Sequence, residues 1–137
     1  MKISIEATVS APIESVWQAW TTPSDIESWN AASPEWHCPS AEINLSPGGA
    51  FCYRMEAKDG SVGFDFVGKF TKVAPHKLIE YSLEDERPVL VEFIAGDGAV
   101  VVRESFEAES EIAGEQQRQG WQAILNNFAK HVEQKGT

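Results

Sequence analysis

Two carboxylates that fall within predicted strands are the side chains in this sequence best suited to acid–base chemistry. Glu104 shares the parity of Val102 and Phe106, so an unbroken strand would point its carboxylate to the same side as those apolar residues. Glu80 lies in a similar position in the strand predicted before it. An inward carboxylate needs a partner or a raised pKa, and such a group could act as a general acid or base. A strand end or bulge that turns Glu104 outward is the simpler alternative.

The second set of chemically useful side chains is aromatic. The chain contains five Trp, seven Phe and two Tyr, enough for the wall of an apolar ligand site. The alternative is that these rings simply fill the core, and both interpretations stay open. The candidate wall residues are Trp20, Trp29, Trp36, Phe51, Tyr53, Phe64, Phe66, Phe93, Trp121, Leu125 and Phe128. Tyr53, Tyr81, Glu80 or Glu104 would supply the polar specificity, because buried polar groups need hydrogen-bond partners.

The sequence lacks the motifs of metal, phosphate and nucleophilic chemistry. His37, His76 and His131 do not have metal-ligand spacing, and Cys38 beside His37 forms only a dipeptide. The glycine-rich segments lie in predicted hairpin turns rather than before a helix, which disfavours a phosphate-binding loop. No Gly-x-Ser-x-Gly motif occurs. We therefore expect no metal, no cofactor and no catalytic triad.

A long amphipathic helix over Gly114–Glu133 organises the predicted fold. Its large apolar residues form one stripe at i, i+3, i+4, i+7 and i+11, namely Trp121, Ile124, Leu125, Phe128 and Val132. A strand over Ile3–Val9 and two short helices begin the chain, and six strands joined by short turns follow as an antiparallel meander. We expect one α+β domain over residues 1–137, in which a curved antiparallel sheet of six to seven strands grips the C-terminal helix.

Several local boundaries are also predicted. Ser10 is expected to cap the first helix and Thr22 the second. Residues 30–40 have no periodicity and are expected to form a loop, and the polar segment 107–112 is expected to lead into the last helix. Gly68, inside a strand pattern, predicts a bulge or a close backbone approach.

The charge balance excludes several classes of partner. There are 21 acidic and 11 basic side chains, a formal net charge of -10, so we expect neither nucleic acid nor membrane as a partner. Arg54, Glu56 and Arg103 are out of phase with their apolar neighbours and should face water and pair across strands. The N-terminus has no apolar signal segment, and no stretch reaches transmembrane length. Cys38 and Cys52 form no disulfide framework, so we expect a cytoplasmic protein with reduced thiols.

Several short motifs follow the order of the predicted elements. They are Ala11-Pro12 with Val16-Trp17 and Trp20-Thr21, then Trp29, the segment Leu45–Phe51 with its Pro-Gly-Gly turn, Gly68-Lys69-Phe70 with Val73–Leu78, and Gly120-Trp121 with Leu125. In this order they resemble the activator-of-heat-shock-protein-ATPase-like branch of the START-related (SRPBCC) helix-grip superfamily. The resemblance implies a helix-grip fold. Members of the superfamily bind lipids, sterols, polyketides and hormones between sheet and helix, and a few are enzymes.

Three functions follow from these observations. The first is binding of a small hydrophobic or aromatic molecule, of lipid or polyketide type, between the sheet and the C-terminal helix. The second is a protein-interaction module of chaperone-regulator or stress-response type. In eukaryotic co-chaperones such a domain accompanies a separate N-terminal domain, for which we expect no room here. The third is an enzyme acting on hydrophobic substrates, which would need Glu104 or Glu80 to point inward.

Overall fold

A seven-stranded antiparallel sheet and a long C-terminal helix dominate this computed structural model, which describes residues 2–108 and 111–135. The elements in chain order are β1 (Lys2–Val9), α1 (Ile13–Thr21), α2 (Pro23–Trp29), β2 (Trp36–Ile43), β3 (Ala50–Ala57), β4 (Gly63–Ala74), β5 (Leu78–Leu83), β6 (Pro88–Ala95), β7 (Val100–Glu107) and α3 (Glu111–Lys135). The strands lie in the order β1-β7-β6-β5-β4-β3-β2, and every neighbouring pair is antiparallel. The predicted element order and the helix-grip class are confirmed.

Strand β2 begins earlier than the sequence pattern indicates. Trp36 pairs with Ala57 in β3, so the second half of the loop predicted over 30–40 is strand. The register shifts between His37 and Ser40, and the proline in this interval has no N–H to donate to the ladder. This irregularity interrupts the alternation of side chains, which is why the strand has no period in the sequence.

The two short helices begin differently from the prediction. Pro12 occupies the N-cap position of α1, and no side chain caps that helix. Ser10 is too far upstream to cap it, so that prediction is wrong, and its backbone N–H donates instead to Glu133 Oε2 at 2.8 Å. Thr22 does occupy the N-cap position of α2, but its hydroxyl makes no capping hydrogen bond. Pro23 takes the first helical position, where its missing N–H has no consequence.

Helix α3 is 25 residues long and extends beyond the predicted Gly114–Glu133 at both ends. Of the segment 107–112 that was expected to lead into it, Glu107 ends β7 and Glu111 begins the helix. Residues 109 and 110 lie outside the described part of the chain. At 1.5 Å per residue the helix spans roughly 37 Å, enough to cross the whole inner face of the sheet. None of the described helices is both long and apolar enough to cross a membrane.

Helix α3 is tied to its neighbours by polar and apolar contacts. Its side-chain hydrogen bonds include Gln122 Nε2 to the Glu6 carbonyl oxygen (3.1 Å), Asn127 Nδ2 to the Ala31 carbonyl oxygen (2.6 Å), Glu133 Oε2 from the Ser10 N–H (2.8 Å), and His131 and Lys135 to Asp25 (2.8 and 2.6 Å). Trp121 adds apolar packing against the core.

Two aromatic clusters fill the core between the sheet and the helices. In the first, the rings of Trp20, Trp29 and Phe128 contact one another with centroids 4.9 to 5.0 Å apart. In the second, Phe51 contacts Tyr53, Phe66, Phe70 and Tyr81. The close approach predicted at Gly68 is confirmed, because a Cβ there would lie 2.6 Å from Cζ of Phe51.

Candidate functional site

A cavity of about 160 Å³ lies between the inner face of the sheet and α3. Its lining residues are Trp20, Trp29, Asn30, Tyr53, Met55, Phe64, Phe66, Tyr81, Glu104, Trp121 and Ile124. Strands β3, β4, β5 and β7 supply one side, and all three helices, with the residue that follows α2, supply the other. Phe64 is 50% exposed and therefore marks the mouth. The lining is mostly aromatic, with a few polar groups among the rings.

Glu104 points into this cavity and is only 7% exposed. Strand β7 pairs with β1 without interruption from Val100 to Glu107, so Glu104 keeps the inward parity of Val102 and Phe106. The alternative that a strand end or bulge turns Glu104 outward is therefore wrong. Its carboxyl makes no hydrogen bond or ion pair with the described residues, and burial raises its pKa to about 8. Glu104 is consequently a mostly neutral acid at pH 7, able to donate or release a proton.

Glu80 faces the opposite side of the sheet. Its Oε1 accepts a hydrogen bond from the hydroxyl of Thr71 at 2.8 Å on the exposed surface. The buried residues of β5 are Ile79 and Tyr81, so the odd-numbered residues of this strand point inward and the even-numbered ones point outward. The alternative that Glu80 points inward is wrong, and Glu104 is the carboxylate that reaches the cavity.

Tyr53 and Tyr81 bring two hydroxyls to the cavity. Neither hydroxyl has a hydrogen-bond partner among the described residues. Burial raises the pKa of both above the ordinary value, and the charge of nearby Glu104 raises that of Tyr81 further. The two groups are therefore neutral hydroxyls that can donate or accept a hydrogen bond. Buried hydroxyls of this kind normally find a partner, and a molecule in the cavity could supply it.

Trp121 forms part of the helical wall of the cavity. Its indole stacks on the ring of Phe106, with centroids 4.1 Å apart and planes 26° apart. The edge of Phe66 approaches it at a centroid distance of 6.2 Å. The sheet thus holds the indole on both sides, and α3 positions Ile124 one turn further on.

Two of the aromatic residues predicted for the wall lie just outside the cavity. Phe51 lines a separate, smaller void of about 30 Å³. Trp36 does not line the cavity either, and its ring contacts Phe64 at the mouth with centroids 6.0 Å apart. Strand parity predicts that Phe51 faces the helix side, whereas Trp36 lies in the segment predicted as a loop. Neither pattern predicts the distance of a side chain from the cavity centre.

Three further predicted wall residues belong to the packed core. Phe93 is covered by the edges of Trp17 and Trp20, at centroid distances of 5.3 and 5.8 Å. Leu125 and Phe128 are 1% and 0% exposed and lie further along the stripe of α3, away from the cavity lining. The stripe of α3 is longer than the cavity, so only its Trp121 end reaches the lining.

The sequence reasoning missed several lining residues. Met55 shares strand parity with Tyr53, and Ile124 belongs to the apolar stripe of α3, so both could have been found from periodicity. Asn30 follows the end of α2 and gives no such signal. It is 8% exposed, and its Nδ2 lies 4.0 Å from Sγ of Cys38. Burial raises the pKa of that thiol to about 11.

The outer face of the sheet carries the predicted charge pairs. Arg54 pairs across strands with Asp65 of β4, with 3.4 Å between Nη1 and Oδ1, and it also pairs along its own strand with Glu56, with 2.8 Å between Nε and Oε2. Arg103 Nε lies 3.2 Å from Glu6 Oε2 across β1 and β7. The prediction that these side chains face water is confirmed. Among the described residues, no three His, Cys, Asp or Glu side chains come together as metal ligands do.

Comparisons with known proteins agree with this architecture. The family model described as "Activator of Hsp90 ATPase homolog 1-like protein" matches residues 10–133. The solution structure of the AHSA1-like protein from Aeromonas hydrophila superimposes with a TM-score of 0.92 at 47% identity, over 99% of this chain and 94% of that one. The predicted family relationship is confirmed.

Two further structures extend the comparison. A protein from Cytophaga hutchinsonii is 45% identical over 98% of this chain and 93% of its own, with a TM-score of 0.83. Protein NE0264 from Nitrosomonas europaea has a TM-score of 0.85 over 99% and 96% of the two chains, but at 16% identity it shows the fold alone. No curated protein matches the chain.

Proposed function

We propose that this chain, which belongs to the Activator of Hsp90 ATPase homolog 1-like family, binds one small, mostly apolar molecule between the sheet and α3. The observation that carries the proposal is the aromatic-lined cavity with polar groups that have no protein partner. Apolar walls with a few inward polar groups are the usual design of a ligand site. In a merely filled core these groups would have been paired, because buried unpaired polar groups are unfavourable.

The size of the cavity restricts the ligand. An apolar cavity of roughly 150 Å³ holds one benzene-sized ring, and this cavity measures about 160 Å³. Sites for drug-sized ligands are larger, on the order of 300–1,000 Å³. The resting cavity therefore suits a compact ring or short branched chain, and lipid- or polyketide-sized molecules would require it to widen.

The proposed roles of the lining residues follow from their positions. Trp20, Trp29 and Trp121 form the helical wall, and Phe66 forms the opposing sheet wall. Phe64 lies at the mouth. The predicted residues that do not line the cavity, namely Trp36, Phe51, Phe93, Leu125 and Phe128, support these rings from outside it. The ligand would thus contact the faces of the lining rings, and the surrounding core would hold those rings in their orientation.

Trp121→Ala is the substitution that tests this proposal. It removes the stacked indole from the wall, so affinity for a bound aromatic probe should fall by at least about tenfold, the equivalent of one lost ring contact. The measurement is a titration with benzene, toluene and indole, followed by amide NMR shifts and tryptophan fluorescence. Trp17→Ala is the matched control, since Trp17 packs against His76 and Phe93 outside the cavity. A folded Trp121→Ala protein with undiminished affinity would contradict the assignment.

A protein partner is the second candidate, and exposed apolar side chains favour it. Val62 and Phe64 are 55% and 50% exposed, and exposed apolar groups mark interaction surfaces when they cluster. The family description names an activator of an Hsp90 ATPase, so the partner to test is a purified chaperone of that type. Stimulation of its ATP hydrolysis, lost on Val62→Ser with Phe64→Ser and weakened by salt, would support this candidate.

A further inference from the structure

The described residues that line the cavity include an acidic side chain, Glu104, and no basic one. The titratable lining groups of the cavity are Tyr53, Tyr81 and Glu104, and no described Lys, Arg or His lines it. Glu104 is 7% exposed and has no described hydrogen-bond or ion-pair partner. We propose that the cavity binds a small organic cation, a primary ammonium on a compact aromatic or apolar body, with its charge against Glu104. This inference rests on the proposed function and names the chemical class of its ligand.

The charge of the lining decides between acidic and basic ligands. A ligand carboxylate would lose its hydration in the cavity without meeting a described cationic side chain, which is unfavourable for a buried charge. A ligand cation would instead form an ion pair with Glu104, which has no cationic partner among the described residues. The formal net charge of -10 also attracts cations to the mouth. Fatty acids and aromatic acids are therefore expected to be poor ligands.

The rings around Glu104 favour the same class. Trp20, Trp29, Trp121 and Tyr53 line the cavity, and the faces of Trp and Tyr rings attract cations through their quadrupoles. This attraction is strongest when the cation is desolvated, as it would be in this site. Aromatic walls that hold an ammonium can bind its apolar body as well, so one set of residues serves both ends of the ligand.

The hydrogen-bonding groups of the lining suit an ammonium in kind. A primary ammonium has three N–H donors and no acceptor. The cavity offers the carboxylate of Glu104 and the hydroxyl oxygens of Tyr53 and Tyr81 as acceptors. The charges of Glu104 and Tyr53 both raise the pKa of Tyr81. All three groups come from strands, so the acceptors lie on the sheet side of the site.

Binding of a cation changes the protonation of the site in a measurable way. Because burial raises the pKa of Glu104 to about 8, the free carboxyl carries its proton at pH 7. When the ammonium binds, the carboxyl releases this proton to the solvent and the ligand keeps its own. A neutral ligand would leave the proton on Glu104, which would then donate a hydrogen bond to it. Proton release therefore separates the two cases.

Calorimetric titration with benzylamine and with benzyl alcohol provides the test. The two probes have nearly the same shape, but only the amine is charged at neutral pH. We expect benzylamine to bind at least about tenfold more tightly at pH 7 and to release close to one proton, read from buffers with different ionisation enthalpies. Its affinity should rise by about tenfold from pH 6 to pH 7, because ionised Glu104 becomes that much more abundant.

Glu104→Gln keeps the shape of the side chain and removes its charge. Benzylamine affinity should fall at least tenfold in this variant and proton release should vanish, while benzyl alcohol binding persists. Glu80→Gln is the matched control, because Glu80 lies on the opposite face of the sheet, and it should change neither probe. If Glu104→Gln does not fold, proton release and the pH profile of the unchanged protein still decide the question.

The outcomes distinguish this inference from the proposed function. If benzyl alcohol binds as tightly as benzylamine, or if the amine binds without proton release, the cation assignment is wrong and an apolar-ligand site remains. If benzoate binds more tightly than either, the charge argument is reversed. If neither these probes nor the hydrocarbon probes bind the folded protein, the cation assignment and the proposed function both fail.

Discussion

Asp25 of α2 accepts a hydrogen bond from Lys135 in the last turn of α3, with 2.6 Å between Oδ1 and Nζ. His131 Nε2 lies 2.8 Å from the same oxygen. Burial raises the pKa of Asp25, but the hydrogen bonds from Lys135 and His131 outweigh it and hold the pKa below the ordinary 3.8. A carboxyl with a lowered pKa stabilises the fold above its unfolded pKa and loses that contribution as pH falls through the folded value.

Asp25→Asn should therefore lower the free energy of unfolding by about 1 to 3 kcal/mol at pH 7, because Lys135 and His131 lose their hydrogen bonds to a charged partner. The deficit should shrink between pH 7 and about pH 2, because the aspartate is itself protonated once the pH falls through its lowered pKa. Urea unfolding at both pH values measures this. Asp65→Asn is the control, since Asp65 has a 57% exposed side chain and its pair with Arg54 should contribute under about 1 kcal/mol. An equal deficit at both pH values would contradict the ionic explanation.

Glu104→Gln should make the protein more stable at alkaline pH. The pKa of Glu104 is raised from 4.5 to about 8, so the folded protein holds a proton that the unfolded chain releases. The free energy of unfolding therefore falls as the pH rises from 4.5 to about 8 and levels off above that. The total loss is roughly 3–5 kcal/mol. The variant should show no such loss when unfolding is measured at pH 5 and pH 9. Parallel pH curves for both proteins would show that Glu104 is not buried as described.

Gly68→Ala should destabilise the fold through overpacking. Its new Cβ would lie 2.6 Å from Cζ of Phe51 and 3.1 Å from the Ser82 carbonyl oxygen. Such a clash typically lowers the free energy of unfolding by about 1 to 3 kcal/mol. Adding Phe51→Leu should recover part of the loss, because the smaller side chain makes room for the methyl. Strictly additive effects of the two changes in denaturant unfolding would disprove the contact.

Gly120→Ala should have the opposite effect. Gly120 lies inside α3, and a Cβ built there meets nothing within 4 Å. Alanine restricts the unfolded chain and favours the helix by about 0.5 to 1 kcal/mol. Thermal unfolding should show a higher midpoint with unchanged binding of probes to the cavity. A lower midpoint would indicate that the space beside Gly120 is occupied.

Much of the fold was predictable because its signals are periodic. The stripe through Trp121 and Phe128 indicated the last helix, and short turns between alternating segments indicated the meander. Strand β2 was not predictable over its first residues, since the register shift after His37 removes the alternation. The predicted start of α1 was wrong because Pro12 disfavours helical backbone at Ala11, which would be the first helical residue after a Ser10 cap.

The candidate site was predictable in composition but not in detail. Parity indicated that Glu104 could point inward, but only the continuous pairing of β7 with β1 decides it. Parity failed for Glu80, because Leu78 at the strand end is not part of the buried row that Ile79 and Tyr81 form. Distance from the cavity centre depends on sheet curvature, which no local pattern encodes, so Phe93 was assigned to the wall although it packs in the core.

The contacts of Trp121 make α3 a reporter of occupancy. Its indole packs on Phe106 of β7 and near Phe66 of β4, at the wall of the cavity. A guest held against this ring binds the folded protein and stabilises it. The amides around Trp121 should therefore exchange with deuterated water more slowly when a probe saturates the cavity. Unchanged exchange rates at saturation would place the guest elsewhere.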